Sequence, residues 1–443
     1  MMNIVYIHTH DSGRFLEPYG YGISTPNLMA LAKESTLFRH CYCAGPTCSP
    51  SRAALLTGTW PHVNGMTGLA HRGFALKDYS MHLANYLAGA GYETALCGIQ
   101  HEADKAEKIG YHKFLQEERG TSMYINDPEG YDLDSAEKAA AYLEGRAKTG
   151  GNFFLSFGMI NTHRDFPNPE GRVNQAYVRP PFTLFDNKTN RLDMAGYIAS
   201  AATADRAAGM VIDALKRTGL DNNTILIFTT DHGIAFPWMK CNLYDPGIGV
   251  ALMIKYPGNP AAGTASDALV SQIDLFPTLC DLLELPRPAW LSGVSLRPIL
   301  EGKAEKVNEQ IFSEVTYHAA YEPKRCVRTD RYKLIRHYDF HNKLPPSNID
   351  NGLSKRFMME AGIFSRTVPR EQLFDLWLDP VERENLVDDP AYETVYRDLS
   401  QRLFNWMEDT ADPLLKYPYR VPYPRGAKVN TFECVHAEYD QFE

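Results

Sequence analysis

The 443-residue chain lacks the basic character of a protein that binds polyanions. Its formal net charge is -9, and no basic stripe is visible along the sequence. Nucleic acids and anionic membrane surfaces are held by basic faces. We therefore expect no broad binding to nucleic acid or to a membrane. A small anionic substrate remains compatible, because a few cations inside a cleft can dominate the local field.

Long apolar runs are also missing. The chain starts MMNIVYIHTHD, with no basic segment before an apolar core, and this apolar run is too short for a signal peptide or a membrane span. No other span is visible, and there are no repeats or low-complexity tracts. We expect a cytoplasmic protein whose eight cysteines stay reduced.

The cysteines do not form a recognisable zinc site. Cys41, Cys43 and Cys48 lie close together, but no second cysteine pair or histidine cluster of zinc-site spacing accompanies them. Cys41 and Cys43 alternate in a segment that looks extended, so we interpret them as small buried hydrophobes. Cys48 differs from both because of the residues that follow it.

Strand-like and helical segments alternate through most of the chain. Ile4–Ile7, Phe153–Phe157, Thr224–Thr230 and Val250–Ile254 are typical of strands, and Ala195–Thr218 is typical of a long helix that ends before a glycine. Strands separated by helices indicate an α/β fold. We expect a large, mostly parallel sheet sandwiched between helices.

The last third of the chain has a different pattern. Ile311–Val315, Cys326–Arg328 and Tyr332–His337 look like short alternating strands, and a helical segment follows. This pattern predicts a smaller C-terminal α+β domain with an antiparallel sheet. We place the larger α/β domain at residues 1–320 and the smaller domain at residues 321–443.

The segment Cys48–Arg52 reads CSPSR and is followed by AALLTG. It resembles the signature C-x-P-x-R of the type I, formylglycine-dependent sulfatases of the alkaline phosphatase superfamily. Other motifs of that family occur in the expected order: TPNL at 25–28, G-x-x-H at 98–101, FTTDHG at 228–233, K-x-x-x-Y-D at 240–245 and LFDLWLDPVERENL at 373–386. The resemblance covers nearly the whole chain. Asn64–Met66 and the residues around Lys240 look most like the heparan N-sulfatase (sulfamidase) branch.

The resemblance implies roles for five residues. Cys48, oxidised to formylglycine by a formylglycine-generating or radical maturation enzyme, is the implied nucleophile. Arg52 lies one helical turn further, so both side chains can share a face and Arg52 can hold the formylglycine diol. Lys240, His101 and His163 match sulfate-contacting residues, and either histidine is a candidate proton donor to the leaving group.

The implied metal site departs from the family pattern. His10-Asp11 stands where sulfatases carry two aspartates, and Asp231-His232 stands where they carry Asp-Asn. Both pairs follow apolar strands, where open α/β sheets bind ligands. We expect one divalent cation, held by Asp11, Asp231 and His232, with His10 as either a further ligand or a hydrogen-bonded neighbour. The resemblance implies Ca²⁺, but two imidazoles shift the preference towards Mn²⁺, Zn²⁺ or iron.

One positively charged side chain that the resemblance implies is missing. The family motif G-K-x-H has lysine where this chain has Ile99. Arg14, Arg164 and Lys105 are the candidates to replace it, and the sequence does not select among them.

The expected function is hydrolysis of a sulfate ester or sulfamate of a small sugar, such as N-sulfoglucosamine or a related glycosaminoglycan fragment. One alternative is a phosphonate or phosphate monoester hydrolase on the same fold, which the Asp231-His232 pair and the missing lysine favour. A second is a catalytically silent relative that binds sulfated glycans. The intact residues Cys48, Arg52 and Lys240 argue against the second alternative. The oligomeric state is left open.

Overall fold

The computed structural model describes residues 1–116, 125–437 and 442. The strands are β1 Asn3–Thr9, β2 Thr36–Tyr42, β3 Glu93–Gly98, β4 Lys113–Phe114, β5 Phe153–Gly158, β6 Thr224–Thr230, β7 Gly249–Val250, β8 Leu252–Lys255, β9 Thr264–Ser271, β10 Ile311–Tyr317, β11 Tyr321–Arg328, β12 Tyr332–His337 and β13 Glu371–Asp375. The α-helices are α1 Pro26–Ala32, α2 Cys48–Thr57, α3 Pro61–Asn64, α4 Leu83–Gly89, α5 Pro128–Thr149, α6 Lys188–Thr218, α7 Asp245–Ile248, α8 Leu275–Leu282, α9 Arg297–Leu300, α10 Leu353–Glu360, α11 Glu393–Asp409 and α12 Pro413–Lys416. Over the described residues, no helix has both the length and the apolar content needed to cross a membrane.

The larger sheet has the strand order β4-β3-β5-β1-β6-β8-β2-β7, with β9 paired to β2. Its β4-β3-β5-β1-β6 portion is parallel throughout. β8 is antiparallel to both β6 and β2, and β9 is parallel to β2. The predicted α/β fold with a mostly parallel sheet is confirmed.

The central strands are apolar along their whole length because helices cover both faces of the sheet. Every residue of β1 and β6 is buried. Ile4 and Tyr6 pack in a core with residues of α2 and α8, whereas Val5 and Ile7 pack in a second core with residues of α5 and α6. Successive side chains of a strand point to opposite faces, so one strand supplies both cores.

The smaller sheet is antiparallel in the order β10-β11-β12-β13. Leu399, Leu403 and Trp406 of α11 pack against its Val327 and Leu334. The predicted C-terminal antiparallel sheet is confirmed. The β10–β11 hairpin spans the domain boundary placed at residue 320, and that boundary stays a prediction.

One predicted strand is wrong in detail. Val250–Ile254 was expected to be continuous, but Ala251 separates β7 from β8. The backbone N–H of Ala251 donates to the carbonyl of Gly13, 3.0 Å away, and to the hydroxyl of Thr230 at 3.2 Å, instead of to a backbone carbonyl of a neighbouring strand. The bond to Gly13 joins the chain to the loop after β1, which carries two of the predicted metal ligands.

Candidate active site

The carboxyl ends of β3, β5, β1 and β6 lie side by side at one edge of the sheet. His8 of β1 is in register with Gly158 of β5 and with Thr229 of β6. His101, His163, the His10-Asp11 pair and the Asp231-His232 pair each follow one of these four strands. Parallel strands end at the same edge, so these residues, though far apart in sequence, meet there.

The two predicted metal-ligand pairs are in direct contact. The backbone N–H of Asp11 donates to Asp231 Oδ1 at 2.8 Å, and Asp11 has a left-handed φ of 44°. His10 Nδ1 lies 3.3 Å from Asp231 Oδ2. His232 Nε2 lies 3.4 Å from Asp11 Oδ1 and 3.6 Å from Asp231 Oδ2. A non-glycine residue with positive φ costs free energy, and such strain often occurs at functional sites.

The hydrogen bond of His232 shows which of its two ring nitrogens faces the site. Its Nδ1 lies 3.0 Å from the carbonyl oxygen of Gly233. A carbonyl only accepts hydrogen bonds, so Nδ1 carries a proton and Nε2 is the nitrogen that faces the site. Nε2 lies beside the carboxylates of Asp11 and Asp231. An imidazole nitrogen and carboxylate oxygens arranged in this way are suited to bind a cation.

The donor atoms fit a divalent cation. One atom each of His10, Asp11, Cys48 and Asp231 lie within 4.8 Å of one another. His10 Nε2 and Asp11 Oδ1 are buried without a hydrogen-bond partner. Buried polar groups are rarely left unpaired. Imidazole and carboxylate donors together suit a transition metal.

Cys48 is the first residue of α2 and faces this cluster. Its Sγ lies 3.5 Å from His232 Nε2. Burial raises the pKa of the Cys48 thiol, so an unmodified cysteine here stays protonated and is a weak nucleophile. Cys41 and Cys43 instead lie in the apolar core under the sheet. The three neighbouring cysteines therefore have different environments.

Arg52 lies one helical turn after Cys48 and is buried, with 2% of its surface exposed. Its Nη2 donates to Asp231 Oδ2 at 3.0 Å and to the carbonyl of Thr9 at 3.2 Å, and its Nη1 donates to His8 Nδ1. Burial acts to raise the pKa of Asp231, but His232 and Arg52 outweigh it and hold the pKa well below its usual range. Arg52 is thus an internal cation of the site, and His8, which the sequence left without a role, is its partner.

Lys240 is held between two carboxylates. Its Nζ lies 2.9 Å from Asp11 Oδ2 and 2.7 Å from Asp350 Oδ2. Although burial favours the neutral amine, Asp11 and Asp350 keep the pKa of Lys240 well above its usual value. Asp350 was not found from the sequence, because it stands alone in a loop before α10 and matches no motif. His318, whose Nε2 lies 3.9 Å from Asp350 Oδ1, was missed for the same reason.

The two candidate proton donors flank His10. The ring centroid of His101 lies 4.9 Å from that of His10, and the ring centroid of His163 lies 5.7 Å away on another side. His163 Nδ1 donates to the carbonyl of Arg164 at 2.5 Å, which leaves Nε2 available for proton exchange. A ring nitrogen of His163 also lies within 4.8 Å of carboxylate oxygens of Asp11 and Asp350.

None of the three residues considered as replacements for the missing lysine joins this cluster. Arg14 donates to the carbonyl of Arg39, and its guanidinium lies 3.8 Å from Asp245. Arg164 makes two hydrogen bonds of 2.8 Å to Asp193. Lys105 is exposed outside the buried cluster. The expectation that one of them compensates is wrong for the two arginines, because their guanidinium groups are bound elsewhere.

The chain is similar to known proteins in its sequence and in its fold. A family model described as Sulfatase matches residues 2–285, and one described as N-sulphoglucosamine sulphohydrolase, C-terminal, matches residues 233–345. Human N-sulphoglucosamine sulphohydrolase is 30% identical over 89% of this chain and 88% of its own length. An ulvan-active sulfatase of Formosa agariphila is 27% identical over 96% of this chain and 84% of its own. A solved structure of the phosphonate monoester hydrolase of Agrobacterium radiobacter has a TM-score of 0.72 at 21% identity, covering 94% of this chain and 97% of that one.

Proposed function

Because the chain belongs to the sulfatase family and is a sulfuric ester hydrolase, we propose that it desulfates a small sugar, using a formylglycine at position 48 and one divalent cation. The observation that carries this proposal is the position of Cys48. Its sulfur faces His232 Nε2 at 3.5 Å, beside the carboxylates of Asp11 and Asp231. Position 48 is where a nucleophile would meet a bound cation.

The chemistry of sulfate hydrolysis explains why the site combines a nucleophile with positive charge. Sulfate oxygens repel an incoming nucleophile, so the site must neutralise charge and align the attacking group. As a hydrated formylglycine, residue 48 supplies one hydroxyl to attack sulfur and a second to release sulfate afterwards. His10, Asp11, Asp231 and His232 would hold the cation, which when bound would neutralise charge at the sulfate oxygens.

Arg52 and Lys240 provide the permanent positive charges of the site. Arg52 donates to the carboxylate of Asp231 and lies one turn from residue 48, so it can orient the diol. Lys240 is fixed by Asp11 and Asp350, and its third N–H remains available to a sulfate oxygen. Preorganised donors of this kind stabilise developing charge without reorganisation during the reaction.

His163 is suited to protonate the leaving group. A sugar alkoxide or amine leaves slowly unless it receives a proton in the transition state. The hydrogen bond from Nδ1 to the carbonyl of Arg164 orients the ring and leaves Nε2 for the proton transfer. In the imidazolium form both ring nitrogens carry a proton. When Nε2 of that form releases its proton to the departing oxygen or nitrogen, the electron pair of the broken bond to sulfur becomes the new bond to hydrogen, and the ring is left neutral with its proton on Nδ1.

The proposed substrate is a short glycosaminoglycan-type fragment, with N-sulfoglucosamine as the leading candidate. The human relative at 30% identity is named for that sugar, and the C-terminal model of the same name matches residues 233–345. The net charge of -9 favours a small sugar in a pocket over a long polyanion in a basic groove.

Phosphonate monoester hydrolysis is the second candidate. The specific observation in its favour is the histidine at position 232, together with Ile99 where a sulfate-binding lysine is expected. The phosphonate monoester hydrolase with a TM-score of 0.72 supports the shared fold alone.

A substrate panel tests the proposal. The enzyme, produced with a formylglycine-generating enzyme, would be assayed on N-sulfoglucosamine, glucosamine 6-sulfate, an aryl sulfate and an aryl phosphonate. We expect the highest kcat/KM on a sulfated sugar and no turnover by Cys48→Ala, the matched control. Mass spectrometry of the peptide that contains residue 48 would report the modification. A higher kcat/KM on the phosphonate than on every sulfate would contradict the proposal.

A further inference from the structure

Lys240 lies in a turn whose backbone is strained on both sides of it. Trp238 and Cys241 have left-handed backbone conformations, with φ of 67° and 63°. A non-glycine residue in this region costs free energy and stays there only where its surroundings hold it. The groups that hold this turn therefore also fix the position of Lys240.

Two distant parts of the chain hold Cys241. Its backbone N–H donates to the carbonyl of Pro46 at 2.8 Å, and its own carbonyl accepts from Nζ of Lys324 at 2.8 Å. Pro46 stands two residues before Cys48, so the first bond joins the turn to the segment that carries the nucleophile. The second bond joins the turn to β11 of the smaller sheet.

Lys324 is in turn fixed by a carboxylate on the same face of β11, since residues two apart in a strand point to the same side. Glu322 Oε1 lies 2.6 Å from Lys324 Nζ, and the two residues are buried, with 2% and 1% of their surfaces exposed. The second carboxylate oxygen of Glu322 accepts from the side-chain amide of Asn348 at 2.9 Å. Asn348 stands two residues before Asp350, whose carboxylate binds Lys240.

The Glu322–Lys324 pair thus contacts both segments that position Lys240. Lys324 holds the backbone of the residue that follows Lys240, and Glu322 holds the loop that carries Asp350. A buried ion pair is weak evidence for stability, because desolvation of both charges offsets much of their attraction. The bonds that this pair makes to two segments of the site point to a role in positioning.

We infer that Glu322 and Lys324 are positioning residues for Lys240, which direct its third N–H to a sulfate oxygen of the substrate. The inference rests on the proposed function, in which Lys240 binds the sulfate, and deepens it by naming residues that act through that lysine. A preorganised donor stabilises developing charge only where it is held in place, and a small displacement of such a group lowers the rate steeply.

A purely structural role is the competing explanation, and another buried ion pair of the same strand serves as the matched control. Arg325 points to the opposite face of β11 from Lys324, and it donates to Asp412 at 2.6 and 3.1 Å. Over the described residues, neither side chain of this second pair hydrogen-bonds to the turn around Lys240 or to the loop before α10. Asp412→Asn should therefore destabilise the fold without moving Lys240.

A double replacement tests the inference without leaving a buried charge unpaired. Glu322→Gln combined with Lys324→Met removes both charges together, and the glutamine oxygen can still accept from Asn348. Metal-loaded enzyme would be assayed on an aryl sulfate and an aryl phosphonate, and calorimetry would measure binding of inorganic sulfate and inorganic phosphate. We expect kcat/KM on the preferred ester, and the affinity for the matching anion, to fall by about 10-fold. Both losses should nearly disappear in the Lys240→Ala background, because the pair acts through that lysine.

The control and a second variant complete the experiment. Asp412→Asn should lower the urea midpoint of unfolding but leave kcat/KM and anion affinity unchanged. Asn348→Ala removes only the bond between Glu322 and the loop, and it should lower kcat/KM in the same direction if the double variant does not fold. Unchanged kcat/KM in either folded variant, or an undiminished loss in the Lys240→Ala background, would overturn the inference. A wild type that hydrolyses only the phosphonate would refute the proposed function, and the inference would then be judged on that ester. A wild type that binds neither anion would overturn both.

Discussion

The ammonium group of Lys240 lies 2.7 Å from the carboxylate of Asp350 and 2.9 Å from that of Asp11. Asp11 follows the first strand of the large sheet, whereas Asp350 precedes α10 in the C-terminal part of the chain. One lysine thus connects two distant segments at the site. Each carboxylate limits the positions that the long lysine side chain can adopt.

Asp350→Asn should lower kcat/KM by about 10-fold, because Lys240 then loses one of the two carboxylates that position its ammonium group. Removal of a whole hydrogen-bond donor to the sulfate costs more, about 100- to 1,000-fold. The effect should nearly disappear when Asp350→Asn is combined with Lys240→Ala, since Asp350 acts through the lysine. A double-mutant cycle on an aryl sulfate measures this coupling. An undiminished loss in the Lys240→Ala background would show that Asp350 contacts the substrate itself.

Cys48→Ser should accumulate a sulfated enzyme if it reacts at all. A serine has one hydroxyl, so after that oxygen has bonded to sulfur no second hydroxyl remains to expel sulfate. Intact-protein mass spectrometry after incubation with an aryl sulfate should detect one added sulfo group. Cys48→Ala, incubated in the same way, should gain none. Steady turnover by Cys48→Ser would contradict the role of a hydrated aldehyde.

His163→Ala should separate substrates by their leaving groups. On a sugar substrate, kcat should fall by roughly 100- to 10,000-fold because the alkoxide or amine needs a proton. On an activated aryl sulfate, whose phenolate leaves unaided, the loss should be far smaller. Lys240→Ala should instead lower both rates together, by about 100- to 1,000-fold, because it removes charge stabilisation from the sulfate itself. Equal losses on both substrates for His163→Ala would exclude it as the general acid.

Asp11→Ala and Asp231→Ala should lose bound metal and activity together. Each carboxylate is buried beside His232 and a permanent cation, so its removal leaves positive charge uncompensated. Treatment of the wild-type enzyme with a chelator should abolish activity, and added Zn²⁺ or Mn²⁺ should restore it. His10→Ala should reduce metal affinity by about 10-fold or more if His10 is a ligand. Unchanged metal content in His10→Ala, measured by mass spectrometry of the elements, would make His10 structural.

Asp245→Asn should destabilise the fold, most strongly near neutral pH. Asp245, the first residue of α7, accepts two hydrogen bonds of 3.1 Å from Arg328 and one of 2.5 Å from Lys333, which join the smaller sheet to α7. Burial alone would raise the pKa of Asp245, but Arg328 and Lys333 hold it well below its usual range. Removing one partner of a buried ion pair typically costs about 3–5 kcal/mol.

The sign of the pH effect follows from the lowered pKa. A carboxylate with a depressed folded-state pKa stabilises the protein above its unfolded pKa of about 3.9, and this stabilisation is lost as the pH falls further. The difference in the free energy of unfolding between wild type and Asp245→Asn, from urea titrations, should therefore shrink from pH 7 to pH 3. Asp267→Asn is the control, because its carboxylate is 79% exposed, and it should change stability by no more than about 0.5 kcal/mol. A pH-independent difference for Asp245→Asn would contradict the charge-based explanation.

Much of the fold follows from local sequence patterns. Thr224–Thr230 was predicted as a strand and forms β6 with the same bounds, because its seven residues are apolar or β-branched and lie between helices. The prediction of one continuous strand at Val250–Ile254 was wrong, because an apolar pattern cannot reveal that the N–H of Ala251 bonds to the loop after β1. Local patterns report propensity and burial, whereas the interruption depends on a segment more than 200 residues away.

The sequence by itself determined that His10, Asp11, Asp231 and His232 each follow an apolar strand, and hence that they lie at the edge of the sheet where ligands bind. It also placed Arg52 one helical turn after Cys48, since helical periodicity relates residues four apart. Only the tertiary structure decided that Asp350 pairs with Lys240, that His8 accepts from Arg52, and that Arg14 and Arg164 are bound elsewhere. Helix periodicity, and the position of a residue just after an apolar strand, are short-range properties that the sequence records directly. The partners of a buried charge are chosen by distance in the folded chain, and no local pattern encodes that distance.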